Sequence, residues 1–472
     1  MWTIRDLMLS GALAGALVAG LPVDAHSQTS PDRPESPSVE HSSSPAVDTL
    51  RLSLPQAEGI ALERNPFIRA ARRNEGIARG QRRQAGIYRF NPRVEFESER
   101  IDPPSGASPL DRYEAVLAQE IEWAGQRGLR EDAAEHGLTR ARASVADAER
   151  RTLLDVREAY QAAAAADRKL AVTREIAELN RRLRDAVAEQ LAEGEVSALD
   201  ANLARIEHGR ARGRVLTAQR ERESALLSLT RVLGLDPDTV MAVAEPGTAE
   251  EASRSDDGNS GREGESGVVS AAGPLPDPSA LELDSLERAA LQRRPDLLAS
   301  EAAIDQADAR ERLARREAIP NLRLLAPVRQ GGAGGDPEIG LGVGLSVPLW
   351  NRNQGTADAR EAALLQSRER RAGVALQVRT EVRDALQSYR SATEEARALR
   401  TSVLEPARQN QSLLEEAYRA GKIDLPTLLL LRNQLLDAEL TYWDAWLARR
   451  QAYARLRAAV GERPDVELEE IR

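Results

Sequence analysis

The sequence contains no cysteine, few aromatic residues and, beyond its N-terminal region, no long apolar run. The absence of cysteine excludes a lipid anchor on a mature N-terminal cysteine. Aromatic residues make up only 3% of the 472 residues, which argues against many conventional globular cores. No later stretch approaches the roughly 18 uncharged apolar residues of a membrane-spanning helix. If this chain spans a membrane, it therefore does so with strands.

Catalytic and metal-binding motifs are also missing. The sequence has no HExxH, P-loop or GxSxG motif and no pair of histidines at metal-ligand spacing, so neither a cofactor, a metal site nor an enzymatic activity is expected. The formal charge of −10 disfavours nucleic acid as a partner. Ala, Arg, Glu and Leu dominate the composition, which is typical of long helices and coiled coils.

Residues 1–25 have the features of a secretory signal peptide. Arg5 supplies a weak positive charge, Leu7 to Leu21 is apolar, and Val23 and Ala25 are small residues at the −3 and −1 positions of a cleavage site. The alternative is an N-terminal membrane anchor, for which the apolar run is short. Residues 26–49 are rich in Ser, Pro, Glu and His and are expected to form a disordered leader.

Apolar and charged residues alternate, as in β-strands, in two segments that precede a long helical pattern. Residues about 93–100 and 112–122 place apolar side chains on one face and carboxylates on the other. The carboxylates on the predicted polar face are Glu95, Glu97, Glu99, Glu114, Glu120 and Glu122. From Arg127 to Glu193 no proline interrupts a helical pattern that would be roughly 100 Å long. A second helix is expected from about Ala198 to Leu233.

A further pair of strands is expected at about 321–329 and 338–347. In the second of these, aliphatic residues alternate with Gly340, Gly342, Gly344 and Ser346. An aliphatic face opposite a nearly bare face suits a membrane strand with lipid on one side and a lumen on the other. A glycine-rich strand of a soluble sandwich fits the segment equally well, so the segment alone decides nothing.

The chain repeats itself. Residues 281–299 align with the segment near residue 52 at an offset of 229, and four landmarks align at an offset of 227. These pairs are Trp123 and Trp350, Gly128 and Gly355, Gly194 and Gly421, and Gly234 and Gly461. The predicted repeats are residues 50–241 and 281–464, joined by an acidic Ser/Gly/Pro-rich linker at 242–280 and followed by a tail at 465–472. Each repeat is predicted to contain, in order, two helices, two strands, a long helix and a further helix.

The duplication supplies only four strands, which cannot close a membrane barrel. Open strand edges in lipid are forbidden, so other chains must complete the barrel if the strands are membrane strands. The long helices then continue the tube, which makes the assembly a conduit. Trp123 and Trp350 stand where strand meets helix, and amphipathic rings favour a membrane interface. The alternative is that each ring fills a core at the junction.

Four motifs together resemble the TolC-type outer-membrane efflux factor family, nearest its cation/heavy-metal efflux branch. They are LSLPQAEGIALERNPFIRAARRNEGIARG (52–80), EIEWAGQRG (120–128), VGLSVPLWNRNQG (343–355) and the segment 417–461. The resemblance implies a mainly α fold with a β-barrel portion: a homotrimeric outer-membrane β-barrel continued by a periplasmic α-helical barrel. It also implies a periplasmic adaptor and, through the adaptor, an inner-membrane RND-type pump as partners.

In that family the turns between the long helices form the periplasmic tip, where the adaptor docks. Here those turns contain Gly194 and Ser197 in one repeat and Gly421 and Asp424 in the other. Turn formation alone also explains these residue types, because glycine permits a left-handed backbone and Ser and Asp cap helices.

The resemblance predicts an exit duct for a tripartite efflux system in the outer membrane, with metal cations as the expected substrate. The carboxylates Glu95, Glu97, Glu99, Glu114 and Glu120 are candidates to face the lumen and favour cations. A solvated face partly paired with Arg93 and Arg112 is the simpler explanation for them. The alternative function is a soluble periplasmic coiled-coil adaptor or scaffold protein.

Overall fold

The computed structural model describes residues 50–101, 110–244, 275–331 and 336–462. The predicted signal peptide, the leader, most of the linker and the tail lie outside these residues. The elements of the first repeat are β1 (Leu50–Leu52), α1 (Leu54–Arg64), α2 (Pro66–Gly86), β2 (Arg93–Ile101), β3 (Leu110–Ile121), α3 (Gln126–Ala192), α4 (Ala198–Leu233) and β4 (Met241–Val243).

The second repeat has the same plan. After a 3₁₀ turn at Pro278–Ala280, its elements are α5 (Leu283–Arg293), α6 (Pro295–Arg316), β5 (Leu322–Gly331), β6 (Glu338–Ile339), β7 (Gly342–Leu345), α7 (Gln354–Leu399), α8 (Glu405–Arg419) and α9 (Leu425–Val460). A π-helical turn, Arg400–Leu404, joins α7 to α8. In the described residues, no helix combines the length and the apolarity needed to cross a bilayer.

Equivalent residues stabilise equivalent helix junctions in the two repeats. Pro66 and Pro295 begin α2 and α6, where a missing N–H costs nothing. Asn65 Nδ2 donates to Val232 O at 2.8 Å, and Arg294 Nη1 donates to Ala459 O at 3.4 Å. The end of each returning helix is thereby tied to the start of the short helix of its own repeat.

Three features of the second repeat and the linker differ from the expectation. The long helix is interrupted at Arg400–Leu404, just before Pro406, which cannot donate a helical hydrogen bond. The first two residues of the predicted linker belong to β4, and Val243 is buried there. β4 pairs in parallel with β1. At the other end of the linker, Tyr389 Oη donates to Pro276 O at 2.6 Å.

The main sheet brings both repeats together. β3 pairs with β2 on one side and with β5 on the other, and β6 and β7 both pair with β5 on its far side; all pairs are antiparallel. Next to the sheet, α2, α3, α6 and α7 pack side by side in this order. Farther from it, α4 and α9 pack against α3, and α9 also packs against α7.

The core consists of three apolar clusters along the helices. One surrounds Val156 and Leu229 in the first repeat, and a matching one surrounds Val382 and Leu456 in the second. The third lies where the two helical hairpins end and contains Val187 and Leu428. Many members are alanines, so the helices approach closely without large side chains. This explains how a chain with so few aromatic residues forms a packed interior.

Candidate functional site: a two-faced sheet and two hairpin tips

One face of the main sheet is apolar and exposed in a single chain. Phe96 on β2 stacks on Tyr113 of β3, with ring centroids 6.4 Å apart. Phe96 is 72% exposed and Leu341, between β6 and β7, is 92% exposed. Other large apolar side chains exposed on this face are Val94, Leu117, Leu324, Val328, Ile339, Val343 and Leu345. Burial of this face requires lipid or another chain.

The opposite face carries charged side chains that pair across strands. Glu97 lies directly opposite Glu114, and Glu99 lies directly opposite Arg112. Arg329 Nε on β5 contacts Glu114 Oε1 at 3.1 Å. Arg112 Nη1 is 3.6 Å from Glu99 Oε2, and Arg93 Nη1 is 3.5 Å from Glu95 Oε1. The pairing with Arg93 and Arg112 that the sequence suggested is therefore present.

Arg323 and Arg329 were missed in the sequence. Arg329 lies opposite Glu114, and Arg323 lies opposite Glu120, in the β3–β5 register. The sequence could have indicated both arginines, because each alternates with the apolar residues of its own strand and therefore lies on the polar face. Only the register, however, brings them next to carboxylates of the other repeat.

The last predicted carboxylate, Glu122, does not belong to this face. β3 ends at Ile121, and the Glu122 side chain is only 4% exposed. Its two oxygens accept hydrogen bonds from Arg130 at 2.7 and 2.8 Å. The prediction that Glu122 lies on the polar face was wrong, because the alternating pattern was extended past the end of β3. Glu120, in contrast, remains on the strand and accepts a hydrogen bond from Asn321 Nδ2 at 2.7 Å.

The predicted strand 338–347 is two short strands, and a proline explains the interruption. Pro327 lies beside Gly340, and Gly340 N donates to Pro327 O at 2.9 Å. Pro327 has no N–H to complete the reciprocal bond, so regular pairing lapses there. A Cβ on Gly340 would lie 3.2 Å from Pro327 Cγ. At least at this position, glycine is needed for close approach of the neighbouring strand.

Both tryptophans at the sheet–helix junctions are exposed in a single chain. Trp123 is 62% exposed and its Nε1 donates to Pro320 O at 2.9 Å, whereas Trp350 is 87% exposed. Neither ring fills a core within one chain. The helices after them start alike: Gly125 and Asn353 have left-handed backbones, with φ of 80° and 61°.

The two hairpin tips are built by the same helix-ending geometry. Gly194 and Gly421 have φ of 76° and 67°. After α3, Gly194 N donates to Leu191 O and Glu195 N donates to Gln190 O, at 3.1 and 2.9 Å. The corresponding pair of bonds ends α8 at Gly421. This is the Schellman arrangement, which requires a left-handed residue after the helix.

Ser197 and Asp424 cap the returning helices. Asp200 N donates to Ser197 Oγ at 3.2 Å, and Ser197 Oγ donates to Asp200 Oδ2 at 2.6 Å. Thr427 N donates to Asp424 Oδ1 at 3.1 Å. Hydrogen bonds from Thr427 lower the pKa of the Asp424 carboxyl below its usual value. Both residues therefore have a structural role in the turn.

The two tips pack against each other within one chain. Leu183 and Val187 of α3 and Ala201 of α4 meet Leu425 and Leu428 of α9 in the third apolar cluster. Just outside it, Leu199 is 78% exposed. The structure thus places Gly194, Ser197, Gly421 and Asp424 at one end of the helices, far along the chain from the sheet residues.

The duplicated plan of the chain, with its long helical hairpins and two-faced sheet, is shared by a known protein family. A profile of the family described as outer membrane efflux protein matches residues 59–235 and 286–462. The two matched segments start 227 residues apart, which is the offset of the sequence repeat. The chain belongs to the outer membrane efflux protein family. It is therefore an outer membrane efflux protein, and the predicted family is confirmed.

Solved structures share this fold. A membrane protein from Pseudomonas aeruginosa is 21% identical, with a TM-score of 0.67 over 87% of this chain and 90% of that chain. CusC is 18% identical, with a TM-score of 0.68 over 87% of this chain and 92% of its own. VceC from Vibrio cholerae is 16% identical, with a TM-score of 0.67 over 87% of this chain and 96% of its own. No curated protein matched the sequence.

Proposed function

We propose that three copies of this chain form the exit duct of a tripartite efflux system. The observation that carries the proposal is the main sheet, with an exposed apolar face, a charged face and unpaired outer edges at β2 and at β6 and β7. Unpaired strand edges in lipid cost several kcal/mol per lost hydrogen bond, so the edges must meet other chains. Three copies in cyclic symmetry would join four strand positions each into a closed barrel of about twelve strands.

The domain boundaries follow the same proposal. Residues 1–25 would be removed as a signal peptide, and 26–49 would lead into the first repeat. The repeats, 50–241 and 281–464, each contain one of the two family matches. The linker between them would begin after β4 rather than at residue 242, since Met241–Val243 pairs with β1.

The partners would meet the channel at the hairpin tips. The turns at Gly194 and Gly421 leave open space around both glycines, and Leu199 beside them is exposed. We assign this end, with Ser197 and Asp424, to docking of a periplasmic adaptor that connects the duct to an inner-membrane RND-type pump. The capping bonds of Ser197 and Asp424 would hold the turns in the shape that the adaptor recognises.

Metal cations are the proposed substrate. The charged face of the sheet has more carboxylates than guanidinium groups among its strand residues. The carboxylates are Glu95, Glu97, Glu99, Glu114, Glu120 and Glu338, and the guanidinium groups belong to Arg93, Arg112, Arg323 and Arg329. If this face lines the lumen, the excess favours cations over anions. A soluble periplasmic adaptor or scaffold is disfavoured, because it would leave the apolar face in water.

Disulfide trapping tests the trimer directly. Because the natural chain has no cysteine, a variant with Val94→Cys on β2 and Val343→Cys on β7 has only two thiols. These residues lie on the two opposite outer strands, so neighbouring copies bring them together only if the sheet closes through the subunits. We expect oxidation in outer membranes to yield a covalent trimer, with neighbouring positions on β7 scanned for register.

Either single-cysteine variant serves as the control and should yield no covalent trimer. If no cysteine position on β7 gave a covalent oligomer, and the protein were also monomeric in mild detergent, the trimer proposal would be disproved. Release of the protein from membranes by carbonate without detergent would contradict the membrane placement of the sheet.

A further inference from the structure

A groove between α3, α6 and α7 is lined by arginines that have no acidic partner among the described residues. It has a volume of about 400 Å³ and lies on the helices next to the sheet. Its floor is formed by small α6 residues, including Ala299, Ala303 and Ala307. The arginines that line it are Arg140 of α3, Arg310 of α6, and Arg360 and Arg370 of α7.

These arginines are exceptions to the pattern around them. Their sequence neighbours on the same helices are paired: Arg142 with Glu75 at 3.4 Å, Arg312 with Asp308, and Arg371 with Glu301 at 2.9 Å. In the part of the chain that the structure describes, none of the four groove arginines makes a side-chain hydrogen bond or an ion pair. The groove therefore concentrates positive charge.

The one carboxylate that lines the groove is already engaged. Asp296 Oδ2 is 2.6 Å from Arg294 Nη2, and Asp296 Oδ1 accepts from Arg294 Nε at 3.0 Å. It lies at the start of α6, about four helical turns from Arg310. Its charge is therefore balanced by Arg294 and does not neutralise the groove.

The groove arginines repel one another. Partial burial, followed by the positive charges of Arg360 and Arg140, lowers the pKa of the Arg310 guanidinium below its usual value. Clustered like charges at close range are unfavourable unless something of opposite charge is bound. Three separate helices contribute to the cluster, so its charge is a property of the fold and not of one arginine-rich segment.

The shape of the groove is held by the packing of α3 on α6. Gln306, which is 8% exposed, lies about one turn before Arg310 on α6, and its Nε2 donates to Ala133 O at 3.3 Å. A Cβ on Gly137 would come 2.4 Å from that Nε2, so a larger residue at this position would displace the amide. The ten residues from Arg360 to Arg370 span about 15 Å of helix. The groove therefore suits an elongated ligand.

We propose that Arg140, Arg310, Arg360 and Arg370 form a binding site for a phosphate-bearing polyanion in the groove between α3, α6 and α7. Guanidinium groups bind phosphate oxygens in planar, bidentate geometry, and several of them together match a ligand with more than one phosphate. The ligand is either a soluble polyphosphate-type anion or the headgroup of an anionic lipid, since both present the same chemistry.

Calorimetric titration of the full-length protein in detergent with sodium tripolyphosphate tests the site. We expect saturable binding that weakens with added salt, and at least about tenfold weaker binding in the double variant R310Q/R370Q. The matched control is R312Q/R371Q, which removes the same charge from the same two helices at paired arginines and should bind like the wild type.

Thermal unfolding without ligand provides an independent readout. R310Q/R370Q should unfold at the wild-type temperature or higher, because it relieves repulsion, whereas R312Q/R371Q should unfold at a lower temperature. Tripolyphosphate should raise the unfolding temperature of the wild type and of R312Q/R371Q only. Absence of binding to the wild type, or equal loss in both double variants, would overturn the proposal.

Nanodiscs separate the two sources of phosphate. If the ligand is soluble, tripolyphosphate binds equally in phosphatidylcholine discs and in discs that contain anionic phosphatidylglycerol. If lipid headgroups occupy the groove, phosphatidylglycerol blocks tripolyphosphate binding and raises the unfolding temperature of the wild type but not of R310Q/R370Q. If carboxylates of a neighbouring subunit fill the groove instead, R310Q/R370Q dissociates the oligomer and nothing binds, which contradicts the proposal.

Discussion

Glu97 on β2 and Glu114 on β3 lie directly opposite each other in the main sheet. Glu114 is paired with Arg329 at 3.1 Å, whereas Glu97 has no ion pair among the residues that the structure describes. Like charges at directly opposed positions destabilise a strand pair by up to about 1 kcal/mol. A sheet that keeps such a pair is consistent with a face that serves ion passage rather than strand stability.

Charge neutralisation on β2 should change ion selectivity. We expect the triple variant E95Q/E97Q/E99Q to shift the reversal potential of bilayer currents towards less cation preference, since three carboxylates leave the charged face of each copy. The control E95D/E97D/E99D keeps the charges and should retain the wild-type potential. Equal selectivity in all three proteins would remove these carboxylates from the conduction pathway.

The helix-ending glycines should differ in how strongly they resist substitution. Gly194 at the tip has open space around it, so Gly194→Ala should cost only the left-handed backbone penalty of about 1–2 kcal/mol. A Cβ on Gly234 would also come 2.8 Å from Arg64 O, which adds about 1–3 kcal/mol.

Denaturant unfolding of the two variants measures this difference. The control is Gly213→Ala inside α4, which has no atom within 4 Å of its added Cβ and should stabilise by about 0.5–1 kcal/mol. If Gly234→Ala lowered the free energy of unfolding no more than Gly194→Ala does, the result would contradict the close contact between α4 and the α1–α2 junction.

Removal of Arg294 should destabilise the second repeat strongly. Arg294 is 1% exposed and is paired with Asp296 and Glu381. Arg294→Met leaves carboxylates without their partner, which costs about 3–5 kcal/mol when a buried pair is broken. The variant R294M/D296N/E381Q, which has no unpaired charge, should recover much of this loss in thermal unfolding.

The loss should also depend on pH. Burial raises the pKa of the Asp296 carboxyl, but the hydrogen bond and charge of Arg294 outweigh this and hold the pKa below its usual value. The wild type therefore keeps this contribution above about pH 4 and loses it as the pH falls through the lowered pKa. R294M removes the hydrogen bond and charge that lower the pKa of Asp296, so we expect this carboxyl to be protonated at a higher pH than in the wild type, which relieves the unpaired charge. The difference in unfolding temperature between R294M and the wild type should decrease as the pH falls from about 7 to 4. A difference that stays constant would contradict the role assigned to the Arg294–Asp296 pair.

The tryptophans should report the membrane boundary. In liposomes with lipids brominated near the headgroup, we expect strong quenching of variants that retain only Trp123 or only Trp350, because both rings are exposed at the sheet–helix junction. A variant that retains only Trp443 and Trp446, which pack in the helical core of the first repeat, is the internal control and should not be quenched. Unquenched junction tryptophans would place the membrane elsewhere.

Much of this molecule was accessible from the sequence because its local patterns are strong. Alternation assigned Phe96 to one face and Glu97 to the other, since side-chain parity in a strand follows from covalent geometry. Gly194 and Gly421 marked helix ends, because few residues other than glycine adopt a left-handed backbone at low cost. The repeat offset ordered the elements, and the motifs identified the family.

The places where the sequence misled have local causes as well. Glu122 continued the alternation of β3, but the strand stops one residue earlier and Arg130 binds the carboxylate. The proline that interrupts the last strand, Pro327, belongs to the strand beside it. Such an effect is invisible until the neighbour is known, because a strand's hydrogen bonds depend on its partner.

The sequence by itself determined the duplicated plan, the family, the polarity of each strand face and the ends of the long helices. Only the tertiary structure decided which charges meet. It placed Glu97 opposite Glu114 and set Arg329 beside Glu114. It also gathered Arg140, Arg310 and Arg360 from three helices into one groove, where none of them has a carboxylate partner among the described residues. The reason is physical: local patterns depend on neighbours within a few residues, whereas charge pairing depends on register and helix packing between segments that lie up to hundreds of residues apart.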